Sequence, residues 1–282
     1  MQILQKPAEM FSYVASQKQQ GKSIGLVPTM GCLHAGHISL ILEAKQHCDI
    51  VIVSIFVNPT QFGENEDYSK YPKKLAEDKK LLEGLKVNAL FQPQVADMYP
   101  DQDSNSYVEV PLVTERLCGR FRPGHFRGVA TVVLKLFNII PADLAVFGAK
   151  DWQQQILIRK MVKDLNLPIE IRTCPTVREH DGLALSSRNT YLSPDARKKA
   201  AAIYQALQKV REYFEQGHND VSEARAMMEG VLRPEHSAGT EIQYLEFCQA
   251  ADLAPVDKLQ KGDLIALAVV VEGVRLIDNI IL

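Results

Sequence analysis

Cysteine is scarce and scattered. The 282 residues include five, Cys32, Cys48, Cys118, Cys174 and Cys248, an odd number with no CxxC pair. That suits reduced thiols better than a disulfide framework. Charge of either sign is not in excess: 32 Lys and Arg against 34 Asp and Glu leave a formal net charge of −2. No bulk field draws nucleic acid or an anionic membrane, so neither is expected as a partner, and any anion must be bound by local placement. No apolar run approaches the roughly 20 residues of a membrane span. Residues 1–13 mix apolar side chains with Gln, Lys and Glu and lack the apolar core of a signal peptide. The expectation is a cytoplasmic protein. Internal repeats and low-complexity tracts are also missing, which removes repeat arrays from consideration.

What is present is ordinary globular material, 46% hydrophobic and 23% charged, enough for one large or two modest domains. Apolar runs of strand length at 23–28, 49–57, 89–92, 142–147 and 169–173 alternate with amphipathic stretches at 37–48, 129–140 and 153–165. The run at 49–57 is nearly continuous and β-branched, as a strand buried on both faces must be. Alternation of this kind predicts an α/β fold, a Rossmann-like doubly wound parallel sheet over residues 1–175. Ligands in such folds sit beyond the carboxyl ends of the strands, here just after Pro28, Val57 and Phe147. The remainder, 176–282, reads as a smaller α+β domain. It has helices at 194–216 and 221–231 and strands at 242–247, 264–271 and 274–281, with 176–189 as a hinge.

Five segments carry chemistry. Residues 28–37, PTMGCLHAGH, leave a strand, turn through two glycines and open a helix. His34 and His37, three apart at a helix start, can face one ligand near N–H groups that favour phosphate, or they are surface histidines. With Cys32 they could begin a zinc site, but no further Cys/His cluster completes one. In FVNPTQF, Asn58 and Gln61 offer uncharged donors and acceptors for hydroxyl and carboxylate groups, or form an Asn-Pro turn. In RFRPGHF, Arg120, Arg122 and His125 lie on a Pro-Gly loop that could meet a nucleotide or carboxylate or stay a solvated basic turn. FGAKDWQQ places Lys150 as a point charge, Asp151 as a helix cap or a ribose or metal-water contact, and Gln154 on the face of Lys150. LSSRN supplies Ser186, Ser187 and Arg188, suited to phosphates or to a polar connector.

The HxGH after a strand resembles the signature of the HIGH-type nucleotidyltransferases. PTMGxLHxGH, FVNPxQF, RPGHFxGVxTVV, FGxKDxQQ and DGLALSSRN, in that order and spacing and followed by RLIDN at 275–279, resemble the pantoate–β-alanine ligase family. The resemblance implies an AMP-forming ligase that joins pantoate to β-alanine through a pantoyl adenylate. It implies ATP contacts at Met30, His34, His37, Gly148, Ala149, Lys150, Asp151, Val177, Ser186, Ser187 and Arg188. His37 would be the general acid, and His34, Lys150 and Arg188 its electrostatic partners. Gln61 and Gln154 would hold pantoate, with β-alanine arriving at Gln61, while Asn58 and Arg122 would be secondary contacts. Magnesium would come with the triphosphate, with Asp78 as a contact to metal-bound water or phosphate and no dedicated protein cage. The C-terminal domain would be a lid, and the assembly a homodimer. Ala149 departs from the acidic residue expected there, and Glu77 departs from the expected Asp or Gln. The rival readings are an adenylyltransferase of the same superfamily, which needs no paired substrate glutamines, and a non-catalytic nucleotide-binding regulator.

Overall fold

The computed structural model describes residues 1–64, 66–101, 106–111, 113–232 and 239–282. In chain order the first part contains β1 (Gln2–Leu4), α1 (Pro7–Gln19), β2 (Ile24–Thr29), α2 (Ala35–His47), β3 (Ile50–Ile55), α3 (Leu75–Gly84), β4 (Ala89–Phe91), α4 (Val95–Met98), α5 (Cys118–Phe121), α6 (His125–Ile139), β5 (Leu144–Gly148), α7 (Trp152–Asp164) and β6 (Glu170–Cys174). The second part contains α8 (Pro194–Ala200), α9 (Ala202–Glu215), α10 (Val221–Leu232), β7 (Thr240–Gln249), β8 (Asp263–Val271) and β9 (Val274–Ile281).

The first six strands form one sheet in the order β1-β4-β3-β2-β5-β6, and every pairing is parallel. From β2 the chain winds outward one way through β3 and β4, then returns to lay β5 on the other side of β2. The order reverses between β2 and β5, so their carboxyl ends diverge there and leave a crevice. All six residues of β3 are buried, which matches its unbroken apolar sequence and a position with helices over both faces. Apolar burial of this kind, at roughly 25 cal/mol per Å², holds the sheet and so fixes the strand ends that carry the site.

The second sheet is antiparallel, β7-β8-β9. α8, α9 and α10 share a core with one of its faces through residues such as Ile203, Leu207, Leu267 and Val269. Leu264, Ala266 and Ala268 of β8 instead join the core of α6 and α7. The two sheets are therefore packed together, not merely strung on a linker. Residues 194–216 form two helices instead of the expected one. At the junction the N–H of Ala201 bonds to the carbonyl of Lys198 three residues back, a tightened turn that breaks the α-helical ladder. No helix among the described residues is long and apolar enough to cross a membrane.

Candidate active site

A cleft of about 240 Å³ opens at the switch point. Pro28 and Thr29 from the end of β2, Phe56 after β3, and Phe147 and Gly148 from the end of β5 line it, as the strand-end rule requires. One wall is apolar: Val129, Val132, Val133 and Leu136 of α6, spaced i, i+3, i+4, i+7 so that they share one helical face.

The turn between β2 and α2 is built from its own hydrogen bonds. Asp78 of α3, 3% exposed, accepts the N–H of Cys32 at 2.9 Å and of Leu33 at 2.8 Å. Gly31 N–H donates to Thr29 Oγ1. His34 caps α2, its Nδ1 accepting from Gly36 N–H at 3.1 Å, while His34 N–H donates to His37 Nδ1 at 3.2 Å. A Cβ on Gly36 would lie 2.9 Å from His34 Cε1, so glycine is what lets the ring fold back over the cap. The amides of Gly31, Cys32, Leu33, His34 and Gly36 are all committed within the turn, which narrows the loop N–H groups that could be offered to phosphate. Asp78 is likewise a brace beneath the turn. It does not line the cleft, contrary to the role expected for it.

A backbone N–H can only donate, so each Nδ1 must be the bare nitrogen and each Nε2 must carry the proton. Burial pushes His34 down to about 4, with Lys150 adding repulsion. It pushes His37 down to about 3, with His34 and Lys150 adding to it. Both rings are neutral at pH 7 and present Nε2–H donors. Met30, which leaves the same strand, lines the cleft beside them.

On the opposite bank, Asn58 is 1% exposed and Gln61 8%. Asn58 Nδ2 donates to Gln61 Oε1 at 3.2 Å and to the carbonyl of Gly128 at 3.1 Å. Asn58 is thus behind the cleft wall, and Gln61 is on it. A Cβ on Gly128 would sit 2.3 Å from Thr60 O, so glycine there allows α6 to press against the 59–61 turn. His125, from the same Pro-Gly loop as Arg122, donates from Nδ1 to Gln61 O at 2.7 Å. Its bare Nε2 then accepts from Arg122 Nη1 at 3.0 Å, and burial, reinforced by the Arg122 charge, pushes it down to about 4.

Lys150, Asp151 and Gln154 line the cleft from the start of α7, and Ser186, Ser187, Arg188 and Val177 line it from the C-terminal side. Asp151 occupies the N-cap position of α7 but makes no side-chain capping bond, which leaves its carboxylate uncommitted to the helix at the edge of the cleft it lines. Ala149 does not line it; its carbonyl and that of Lys150 accept from Asn279 Nδ2 of β9 at 3.1 and 2.8 Å. Tyr71, which no motif flagged, lines the cleft with its hydroxyl 2.9 Å from that of Ser187.

Two acidic neighbours on the 62–74 segment engage the cleft arginines. Glu66 takes Arg122 in a fork at 2.6 and 2.5 Å. Asp67 takes Arg188 at 3.1 and 2.9 Å. Against the opposing effect of burial, the arginine partners hold both carboxyls below their ordinary range. Only the side chains of a long loop bring these residues in, so nothing in local spacing announces them.

Fold and site together define a class: α/β proteins with an HxGH turn at the switch point of a parallel sheet, facing amides, cations and neutral imidazole donors across one cleft. A family profile described as pantoate-beta-alanine ligase matches residues 2–281. A pantothenate synthetase of Caldicellulosiruptor saccharolyticus is 51% identical over 281 residues, covering 100% of this chain and 99% of that one. The crystal structure of the Thermus thermophilus pantothenate synthetase superposes with a TM-score of 0.93 at 42% identity, over 99% of both chains. A Francisella tularensis pantoate-beta-alanine ligase, complexed with beta-gamma ATP and beta-alanine, gives 0.83 at 39% identity over 100% of this chain and 97% of that one. The chain belongs to the pantoate–β-alanine ligase family.

Proposed function

We propose that this protein condenses pantoate with β-alanine at the expense of ATP, through a pantoyl-adenylate intermediate. The observation that carries the reading is the pairing, in one cleft, of two Nε2–H imidazole donors with a substrate amide at Gln61. The family membership and the Francisella ligase bound to a β,γ-ATP species and β-alanine support the substrates.

The pantoate carboxylate attacks the α-phosphorus and pyrophosphate leaves. The β-alanine amine then attacks the acyl carbon, AMP departs with the acyl C–O bond electrons, and the amine loses a proton as the amide forms. No covalent enzyme intermediate is needed, so catalysis is positioning plus stabilisation of charge on the phosphoryl oxygens. His34 and His37 would donate neutral Nε2–H bonds to those oxygens. With its ring neutral and its Nε2 protonated, His37 would act on the phosphoryl oxygens as a hydrogen-bond donor, at the position where the family resemblance puts the general acid. Lys150 and Arg188 would hold the phosphates, Ser186 and Ser187 the outer oxygens, Val177 the adenine, and Met30 and Gly148 the nucleotide. Gln61 and Gln154 would hold pantoate, with Arg122 beside them on the cleft lining.

Magnesium fits as a companion of the triphosphate. Among the described residues no group of three or more His, Cys, Asp or Glu side chains could hold a metal ion. Asp151 is the one carboxylate among the described residues that line the cleft. Bound metal would neutralise phosphate charge, with Asp151 placed to reach its water shell. By the same family resemblance we propose a homodimer, which sedimentation analysis would test. Purified protein given ATP, magnesium, pantoate and β-alanine should form AMP and pantothenate only with every component present. Bound ATP with no AMP in any mixture would sink the ligase reading.

A further inference from the structure

Asn58 has its orientation imposed by the backbone. Its Oδ1 receives the N–H of Thr60 at 3.3 Å, a group that can only donate, and its Nδ2 faces the carbonyl of Gly128 at 3.1 Å, a group that can only accept. Oxygen and nitrogen of this amide cannot be exchanged without losing both bonds. Two hydroxyls reinforce the arrangement by donating to Asn58 Oδ1, that of Tyr99 at 2.9 Å and that of Thr60 at 3.0 Å. The second Asn58 N–H then points at Gln61, and the Gln61 atom that meets it must be an acceptor, Oε1 at 3.2 Å. What remains for the cleft is Gln61 Nε2, a donor, which lies 2.8 Å from the sulfur of Met30. Thioether sulfur is a weak acceptor that a ligand oxygen readily replaces. Tyr99 itself is 5% exposed and does not line the cleft. It follows α4 and packs its ring near Phe56, 6.4 Å between centroids.

We infer that Tyr99, together with Thr60, is a positioning residue that fixes Gln61 as a hydrogen-bond donor toward the acid substrate. A glutamine free to rotate would present its carbonyl half of the time and repel a carboxylate. One locked by this relay presents N–H alone. The relay favours an oxygen acceptor such as a carboxylate or the lone pair of a hydroxyl, and disfavours an amine at that point. The assignment rests on the reading that Gln61 meets pantoate.

The test compares Tyr99→Phe, Thr60→Val and the double variant with the unaltered protein. AMP release gives KM for pantoate and for ATP, and spectra of glutamine-labelled protein report the Gln61 side-chain N–H pair. Loss of one buried hydrogen bond predicts a rise of about three- to tenfold in the pantoate KM for each single change. The double variant should show a larger rise, with the ATP KM held within about twofold and the Gln61 N–H signals displaced. A pantoate KM that does not move, or pantoate and ATP values rising together as general loosening would give, overturns the inference. If the unaltered protein makes no AMP from pantoate, the functional reading fails separately. The Gln61 signals then decide the relay alone, and unchanged signals in the double variant overturn it.

Discussion

At His34 and His37 the backbone chooses which nitrogen carries the proton, and burial keeps both rings neutral. Replacing His37 with Ala should slow adenylate formation by about 10² to 10³, the usual loss for one preorganised donor. Rapid-quench measurement of pyrophosphate release reads that step directly, and near-normal rates would remove His37 from the chemistry. The same depressed values set a pH dependence of stability. An unfolded histidine titrates near 6.5, whereas His34, His37 and His125 fold at about 4, 3 and 4. Between those limits the unfolded chain binds more protons, so the stabilisation is complete above about pH 6.5 and is lost as pH falls toward 4. Urea midpoints should fall from about pH 7 to about pH 4.5, and triple replacement by Gln should flatten that part of the profile. The sequence made the two histidines and Gln61 conspicuous because they sit in short motifs at strand ends. It could not reveal the roles of Asp78 and Asn58, since a carboxylate bracing backbone N–H groups and one meeting phosphate are spelled alike.

Among the elements, α6 shows how much the sequence can carry. Its stripe at 129, 132, 133 and 136 was readable as a buried face, and that face forms the apolar wall of the cleft. Gly128 is where α6 meets the 59–61 turn. Gly128→Ala should push the turn away and raise the pantoate KM by about tenfold or more through misplacement of Gln61, with a smaller effect on ATP. The 62–74 segment is the opposite case. Its acidic pair engages Arg188 and Arg122 from far away in the chain, so only the folded structure identifies it. An incoming phosphate must compete with Asp67 for Arg188. Asp67→Asn should therefore lower the ATP KM, by about two- to fivefold on the scale of one partly exposed ion pair, with the gap narrowing as salt is added. β1 and α1 were missed for plainer reasons. β1 has three residues, and α1 buries only Met10 and Val14, too little periodicity to stand out.

For the whole molecule, the second sheet is tied to the cleft by β9. Asp278, 1% exposed at its side chain, pairs with Arg178 at 2.5 Å, and Asn279 holds the carbonyls beside Lys150. Burial raises the Asp278 carboxyl despite the pull of Arg178, so the pair is a specificity contact as much as a source of stability. Removing one partner is costly all the same, and Asp278→Ala should lower stability by about 3 kcal/mol, read as a shifted urea midpoint. The alternation of strands and helices made the parallel sheet legible from the sequence. The docking of RLIDN onto the Lys150 loop was not legible, because it depends on where two separately patterned halves meet.

The committed amides of Gly31 to His34 and of Gly36 have a consequence for mutational tolerance. A loop that binds anions through its main chain accepts many side chains, because the binding groups survive substitution. Here most of the main chain is occupied in holding itself together, and much of the recognition passes to two rings. A saturation library across 30–37, selected for growth dependent on the enzyme, should be nearly intolerant at 34, 36 and 37. It should remain permissive at Ala35, whose side chain has no such task.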